Sequence, residues 1–200
     1  YLVTGDVAVD TGVTLVIQAG VQVLFLANSD DQSSGQRLSD SELLVKGTLS
    51  VLGTADAPVV LSSSNAVAAA GDWGGIYLDQ NANLALSYAH LSYTGYGINS
   101  GDSRIGGVDI THSRLEFSGD GIYLRNGEQG SSRVVTDNVI SVGTSGYALR
   151  LYLCCNNQES LPNLSRNVIT NPQGSGINVD QARQGVTIDS NTIAVKYRAL

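Results

Sequence analysis

Aromatic, guanidinium, amide and carboxylate side chains recur after a repeated pair of residues, a glycine followed by isoleucine or tyrosine. The set comprises Tyr77, Asp79, Asn99, Tyr123, Arg125, Arg150, Tyr152, Asn178 and Asp180. Flat aromatic rings that alternate with planar hydrogen-bonding groups can hold an extended glycan without reacting with it. The pattern therefore predicts a glycan-binding face, although tyrosine and arginine also fit any pleated strand surface.

The repeat that positions these residues runs through residues 84–195. One apolar residue recurs at Leu86, Ile110, Val135, Leu164 and Ile188, and a second follows five places later, at Leu91, Leu115, Ile140, Ile169 and Ile193. The glycine pairs begin at residues 75, 97, 121, 146 and 176, so they are separated by 22, 24, 25 and 30 residues. Such separations are typical of a solenoid and too long for a heptad repeat.

Within each repeat, apolar and polar residues alternate over a few positions, as at Ile76 and Leu78. A period of two indicates strands with one side facing a core, and no window shows the period of a helix. The repeat therefore predicts three short strands per turn of a coil. Each strand would pair in parallel with its copy in the coils above and below.

Asparagine recurs between the two apolar positions of the repeat, at Asn138, Asn167 and Asn191. Asparagine tolerates left-handed turn geometry and can pass side-chain hydrogen bonds to the next rung. We therefore predict a structural ladder of asparagines. The alternative of separate surface turn residues stays open at this point.

Residues 12–25, 43–61 and 71–76 read GVTLVIQAGVQVLF, LLVKGTLSVLGTADAPVVL and GDWGGI. They resemble the opening coils of secreted bacterial β-helix proteins, and the whole pattern is similar to the fold of pectate lyases, polygalacturonases and phage tailspikes. The resemblance implies an all-β, right-handed parallel β-helix of about 7–8 coils. It would occupy residues 1–200 as a single domain that is a fragment or module of a longer chain. The fold hosts lyases, hydrolases, epimerases, adhesins and inert stalks alike, so it does not specify an activity.

The resemblance also implies that the outer face of the Gly-Ile strand lines a substrate cleft, as in pectin-degrading relatives. The second and fourth residues of each such strand, including Ala148 and Arg150 after Gly146-Tyr147, are then expected to point outward. The insertion at residues 153–163 would overhang the same face.

Catalytic sets known from such enzymes are not recognised in this sequence. Asp79 and Asp180 would lie four rungs apart, about 19 Å at ~4.8 Å per rung, whereas Ca²⁺ ligands lie within ~2.6 Å of the ion. Asp102 and Asp120 approximate the carboxyl pair of an inverting hydrolase, but at opposite ends of their strands. The motifs that define polygalacturonases and alginate epimerases are absent. No catalytic residue is therefore predicted.

Two other residue pairs could carry chemistry. His112 and Asp137 fall in aligned turns, where they would be a base and its orienter or simply a surface ion pair. Cys154 and Cys155 are adjacent, with Cα atoms ~3.8 Å apart against the usual ~4.4–6.8 Å of a disulfide. Two free thiols or a bond to another chain are the readings that remain.

The N-terminal part is expected to begin with one edge strand over residues 1–9, followed by strands at 13–17 and 21–26. The polar residues 28–41 are predicted to form a projecting loop. Asp30, Asp31 and Asp40 in this loop could bind Ca²⁺, but their spacing matches no Ca²⁺ loop, so no cofactor or metal is predicted. Trp73 is expected to close a corner of the coil rather than to stack on sugar.

Composition excludes several partners. The net charge is −7 with only 11 lysines and arginines, which disfavours nucleic acid because phosphate contacts need clustered cations. No run approaches 18 apolar residues, so no membrane insertion is expected. The chain starts at Tyr1 directly in strand-like sequence, which suggests a mature or excised fragment that is secreted or held at the cell surface.

These observations favour an extracellular structural or adhesive module. Its predicted partners are a polysaccharide bound along the Gly-Ile strand or other copies of the chain stacked end to end into filaments, because an uncapped coil presents open ends. The alternative is a polysaccharide lyase, glycoside hydrolase or epimerase acting on an acidic polysaccharide, with its key residues on the loops.

Overall fold

The computed structural model describes residues 1–117, 121–125, 127, 131–153, 161–182 and 185–200. Over those ranges the chain forms strands and no α-helix. The strands are β1 (Leu2–Val3), β2 (Val7–Val9), β3 (Thr14–Gln18), β4 (Gln22–Phe25), β5 (Glu42–Val45), β6 (Thr48–Leu52), β7 (Val59–Ser63), β8 (Gly75–Leu78), β9 (Asn83–Ser87), β10 (Ala89–Thr94), β11 (Ile98–Asn99), β12 (Val108–Thr111), β13 (Arg114–Phe117), β14 (Ile122–Arg125), β15 (Arg133–Thr136), β16 (Val139–Val142), β17 (Tyr147–Tyr152), β18 (Asn163–Ser165), β19 (Val168–Asn171), β20 (Ser175–Asp180), β21 (Thr187–Asp189) and β22 (Thr192–Val195). None of the described segments is a helix long and apolar enough to cross a bilayer.

Three parallel sheets contain all of these strands. The Gly-Ile sheet has the order β2-β5-β8-β11-β14-β17-β20, the middle sheet β3-β6-β9-β12-β15-β18-β21, and the closing sheet β1-β4-β7-β10-β13-β16-β19-β22. The chain visits the three sheets in rotation and returns to each one a rung higher. The prediction of a right-handed parallel β-helix with three strands per coil and about seven coils is thereby confirmed.

Apolar residues of successive coils pair directly, as the repeat predicted. In the middle sheet Leu86 pairs with Ile110, Ile110 with Val135, and Val135 with Leu164. In the closing sheet Leu91, Leu115, Ile140 and Ile169 pair in the same way. All of these side chains are buried. Because side chains alternate along a strand, each pairing places one more apolar layer on the axis of the coil.

The Gly-Ile sheet departs from the predicted register in one coil. Ile98 pairs with Ile122, but Ile122 pairs with Leu149 rather than with Tyr147. Ala148 is therefore the counterpart of Gly121, and it is fully buried, not outward as predicted. The inward column requires an apolar side chain, and Leu149 supplies one without burying the hydroxyl of Tyr147.

The N-terminus was predicted as one edge strand, and this prediction is wrong. Residues 1–9 form β1 in the closing sheet and β2 in the Gly-Ile sheet, with a corner between them. The corner is stabilised at Asp6, which is buried and accepts a hydrogen bond of 2.9 Å from the backbone N–H of Glu42. A local pattern of alternating valines does not reveal such a corner.

Trp73 lies inside the coil, in agreement with its predicted role at a corner. It is fully buried, its ring stacks on Phe25 with centroids 3.8 Å apart, and its Nε1–H donates to the Ser92 carbonyl at 2.9 Å. A ring in this position is not accessible for sugar stacking.

The predicted asparagines form a continuous hydrogen-bonded column at the corner between the middle and closing sheets. The backbone N–H of Asn138 donates to Oδ1 of Asn167, and that of Asn167 donates to Oδ1 of Asn191. Ser113 precedes them and receives its bond from Ala89 while donating its own N–H to Asn138. The residue before each of these positions has positive φ; these corner residues are Tyr88, His112, Asp137, Arg166 and Ser190. The column therefore satisfies backbone groups that a left-handed corner would otherwise leave unpaired.

Arg133 occupies an inward position that sequence reasoning missed. It pairs with Val108 in the apolar register and is 1% exposed. Its Nη1 donates to the carbonyls of Gly106 at 2.5 Å and Ser132 at 2.7 Å. A guanidinium can be buried when backbone carbonyls satisfy its donors, so Arg133 joins the segment at residues 105–106 to the next coil. Its alternation with Val135 was the available signal.

Candidate functional site

Four residues of the predicted face lie in one outward column of the Gly-Ile sheet. Tyr77 pairs with Asn99, Asn99 with Tyr123, and Tyr123 with Arg150. Successive members are one rung apart, about 4.8 Å. The sheet therefore presents ring, amide, ring and guanidinium in a straight line across β8, β11, β14 and β17.

This column forms the floor of a cleft of about 830 Å³. Tyr77, Asn99, Tyr123 and Arg150 all line it. The cleft also has walls that sequence reasoning missed, contributed by Gln36, Arg37, Tyr96, Asp102 and Tyr147. A concave surface with several aromatic rings and a few polar groups has the character of a ligand site.

The remaining members of the predicted face do not line the cleft, although some support its rim. Asp79 follows β8 and accepts a hydrogen bond of 3.0 Å from Ser103. Arg125 lies over the ring of Tyr152, 4.8 Å from its centroid. Asn178, with its amide nitrogen turned toward Asp180, donates to that carboxylate at 2.8 Å.

The loop at residues 28–41 supplies one wall of the cleft through Gln36 and Arg37. The fully buried carboxylate of Glu42 accepts hydrogen bonds from their backbone N–H groups at 2.6 and 3.2 Å, and from the hydroxyl of Tyr96. Gly35 packs directly against Glu42 with φ +69°, a conformation that favours glycine. Glu42 therefore joins the wall loop to Tyr96 across the cleft.

Burial determines the ionisation of this pair. It raises the pKa of Glu42, against the opposing hydrogen bonds from Tyr96, Gln36 and Arg37. It also raises the pKa of Tyr96, and the hydrogen bond to Glu42 acts in the same direction. Tyr96 therefore stays a protonated donor, and it is a poor candidate for a phenolate base.

Substitution Glu42→Gln is expected to remove a loss of stability that accompanies rising pH. Because the folded pKa of Glu42 is raised, the folded protein holds this proton more tightly than the unfolded chain does. The stabilisation is complete below the ordinary carboxyl pKa and is lost as the pH rises through the raised value. The melting temperature of the wild type, measured from pH 4 to 8 in steps, should fall relative to that of the variant.

Glu116→Gln is the matched control, because Glu116 lies on the outside of β13, where its carboxylate bonds to Arg114. This control makes the same charge change on an exposed surface. An increasing advantage of wild type over Glu42→Gln as the pH rises would contradict the assignment, because it would mean that the ionised carboxylate is the stabilised form.

Three guanidinium groups around the cleft are each paired with a carboxylate. Nε of Arg37 lies 2.6 Å from Asp40, and Arg125 contacts Asp102. Arg150 donates from Nε and Nη2 to Oδ2 of Asp180 at 3.0 and 2.7 Å, an interaction that raises the pKa of Arg150. Arg150 also lies 5.3 Å from the ring centroid of Tyr123 and 5.9 Å from that of Tyr147.

The structure does not join His112 and Asp137 as base and orienter. Asp137 accepts two hydrogen bonds of 2.7 Å from Arg166, which lower its pKa. The ring of His112 stacks on Tyr88 with centroids 4.9 Å apart. Positive φ at these corner positions projects the side chains outward, where they pair with their nearest neighbours in the column.

Metal binding and the remaining acidic candidates can be assessed in part. Within the described ranges, no group of three or more histidine, cysteine, aspartate or glutamate side chains is arranged to hold a metal ion. Asp30 accepts from the backbone N–H of Gln32 and Ser34, and Asp31 accepts from the hydroxyl of Thr4. Asp120, Cys154 and Cys155 lie outside the described residues, as does most of the insertion at 153–163.

A family model described as "Pectate-lyase like beta helix domain" matches residues 1–141. The chain belongs to this family. Searches of curated proteins and of solved structures gave no significant match. The matched part of this pectate-lyase-like domain includes the cleft strands β8, β11 and β14 and the wall loop, whereas β17 with Arg150 lies beyond it.

Proposed function

We propose that this pectate-lyase-like domain is an extracellular, non-catalytic module that holds an extended polysaccharide chain in its cleft. The observation that carries the proposal is the line of Tyr77, Asn99, Tyr123 and Arg150 along the cleft floor. A linear polymer repeats along its length as the rungs repeat along the coil. Successive sugars can therefore meet equivalent groups on successive strands.

The two floor tyrosines suit this role because their side chains are rigid and amphipathic. A ring presents an apolar face to the C–H groups of a sugar, and its hydroxyl can donate or accept a hydrogen bond. Asn99 lies between the rings, and its Oδ1 accepts from the backbone N–H of Gly101 at 2.6 Å. That bond orients the amide and leaves its NH₂ donors for a ligand.

The carboxylates around the cleft support binding over cleavage. Glycosidic hydrolysis ordinarily uses two carboxyl groups about 5–9.5 Å apart across the scissile bond. Among the described residues that line the cleft, Asp102 is the one carboxylate, and it already contacts Arg125. The cleft thus offers shape and hydrogen bonds more readily than acid–base chemistry.

One observation favours the alternative of a polysaccharide lyase, hydrolase or epimerase. Glu42 is a buried carboxyl group with a raised pKa beside a cleft, which is a common property of catalytic acids. Its path to the cleft runs through Tyr96, which it contacts. Release of reducing or unsaturated sugar ends that Glu42→Gln abolishes would favour this alternative.

Substitution Tyr123→Ala is expected to weaken polysaccharide binding by roughly 10-fold, because it removes the central ring of the floor. The measurement is the dissociation constant by titration calorimetry or by affinity electrophoresis in gels containing soluble polysaccharide. Tyr197→Ala is the control, because Tyr197 is 61% exposed and lies outside the cleft. Equal affinities of Tyr123→Ala and wild type for a bound polymer would contradict the placement of the ligand.

Stacking of copies end to end stays a prediction. It is tested by light scattering at rising protein concentration, where strictly monomeric particles would count against it.

A further inference from the structure

The described charges around the cleft balance one another. Three guanidinium groups, those of Arg37, Arg125 and Arg150, are matched by the carboxylates of Asp40, Asp102 and Asp180. A site selective for an anionic polymer would keep cations available to the ligand, because charge-assisted hydrogen bonds supply most of the recognition of a carboxylate. Here each guanidinium already has a carboxylate of the protein itself.

Arg150 is the clearest case, because it lies on the cleft floor. Two of its nitrogen atoms donate to Asp180, and its planar group lies near the rings of Tyr123 and Tyr147. These contacts hold the two tyrosines at a fixed distance from the guanidinium. A uronate would have to displace Asp180 to gain the same interaction, so it would exchange one ion pair for another.

The field of the whole chain also opposes an anionic ligand. The net charge is −7, and the buried carboxyl groups of Asp6 and Glu42 lie directly behind the cleft wall. Like charges repel an approaching polyanion and lower its local concentration.

The polar groups left for a ligand are uncharged. The hydroxyls of Tyr77 and Tyr123 have no hydrogen-bond partner within the part of the chain that the structure describes, and Asn99 retains its NH₂ donors. Hydroxyl and amide groups match the alcohol groups of sugars, which both donate and accept.

We infer that the cleft selects a neutral polysaccharide over a polymer of uronic acids. This inference rests on the proposed function, and it departs from the acidic substrates that the pectin-degrading resemblance implies.

The test compares two classes of probe with the intact chain at low and high salt. Neutral probes are galactomannan, xyloglucan and mixed-linkage β-glucan, and anionic probes are polygalacturonate and alginate. We expect retention by at least one neutral polymer, with an affinity that changes less than about 2-fold up to about 1 M NaCl, where screening acts within ~3 Å. Binding to uronate polymers alone would overturn the inference and leave the proposed function in place. Binding of both classes with equal affinity would also overturn the inference. Binding of neither class would overturn the proposed function and the inference with it.

A second arm reverses the charge balance on purpose. Asp180→Asn releases Arg150 from its carboxylate, so affinity for polygalacturonate at low salt is expected to rise by roughly 5-fold. Asp189→Asn makes the same charge change on the outer part of β21 in the middle sheet and should give no such gain. Equal effects of the two variants would overturn the role given to the Arg150–Asp180 pair.

Discussion

Replacing Trp73 with alanine is expected to lower the free energy of unfolding by about 3–5 kcal/mol. The indole is fully buried, it stacks on Phe25, and it donates to the Ser92 carbonyl. Alanine would leave a cavity that a coil of hydrogen-bonded strands cannot close by local movement, and it would leave that carbonyl without its donor. The measurement is urea unfolding followed by far-UV circular dichroism, since Trp73 is the one tryptophan of the chain.

Trp73→Phe separates the two contributions. It keeps an aromatic ring against Phe25 and removes the Nε1–H donor, so the loss should be clearly smaller than for alanine. The alanine variant should also bind polysaccharide more weakly, because Trp73 pairs with Thr94 and its carbonyl accepts from Gly95, next to Tyr96. Equal losses in the two variants would mean that packing is not the dominant contribution of this side chain.

Replacing Asn167 with alanine is expected to cost roughly 3–5 kcal/mol, at about 1–3 kcal/mol for each buried group left unpaired. Asn167 is fully buried, and its Oδ1 accepts from the backbone and side-chain nitrogens of Asn138. Its Nδ2 donates to the Val135 carbonyl at 2.8 Å. One substitution therefore interrupts the column at the point where β16 and β19 meet.

Hydrogen exchange can locate this effect along the coil. Stability of a solenoid is approximately a sum over neighbouring coils, so breaking one junction should release the coils beyond it. We expect faster exchange in β18, β19 and β22 than in β9 and β10. Asn163→Ala is the control, because Asn163 bonds to the hydroxyl of Ser165 on the outer part of β18. Unchanged protection of β19 in Asn167→Ala would show that the column does not couple the coils.

The contrast between the ladder and the cleft shows what a repeat can encode. Asn138, Asn167 and Asn191 stand at equivalent positions of consecutive repeats, so one local pattern places all three at the same corner. Tyr77, Asn99 and Tyr123 were predicted to face outward together for the same reason. In both cases the inference needs only strand alternation and the parallel stacking of like on like.

Non-repeating contacts lie outside that reasoning. Tyr96 and Glu42 are 54 residues apart, and the wall loop lies between Asp6 and Glu42 because both carboxylates accept hydrogen bonds from it. The path of a loop depends on which buried polar groups it can satisfy, and this is a property of the assembled coils. Leu149, not Tyr147, fills the inward column for a similar reason, since the neighbouring strands select the apolar side chain.

The sequence by itself determined the coil, its apolar columns, the corner asparagines and the outward line of rings, because each follows from periods of two and of about two dozen residues. Only the tertiary structure decided the cleft walls, the burial of Arg133 and the pairing of Arg150 with Asp180, 30 residues away. Charge pairing and burial depend on distances between side chains. Those distances exist only once the laps are stacked in register, and on them depends whether a cation in this cleft is available to a ligand.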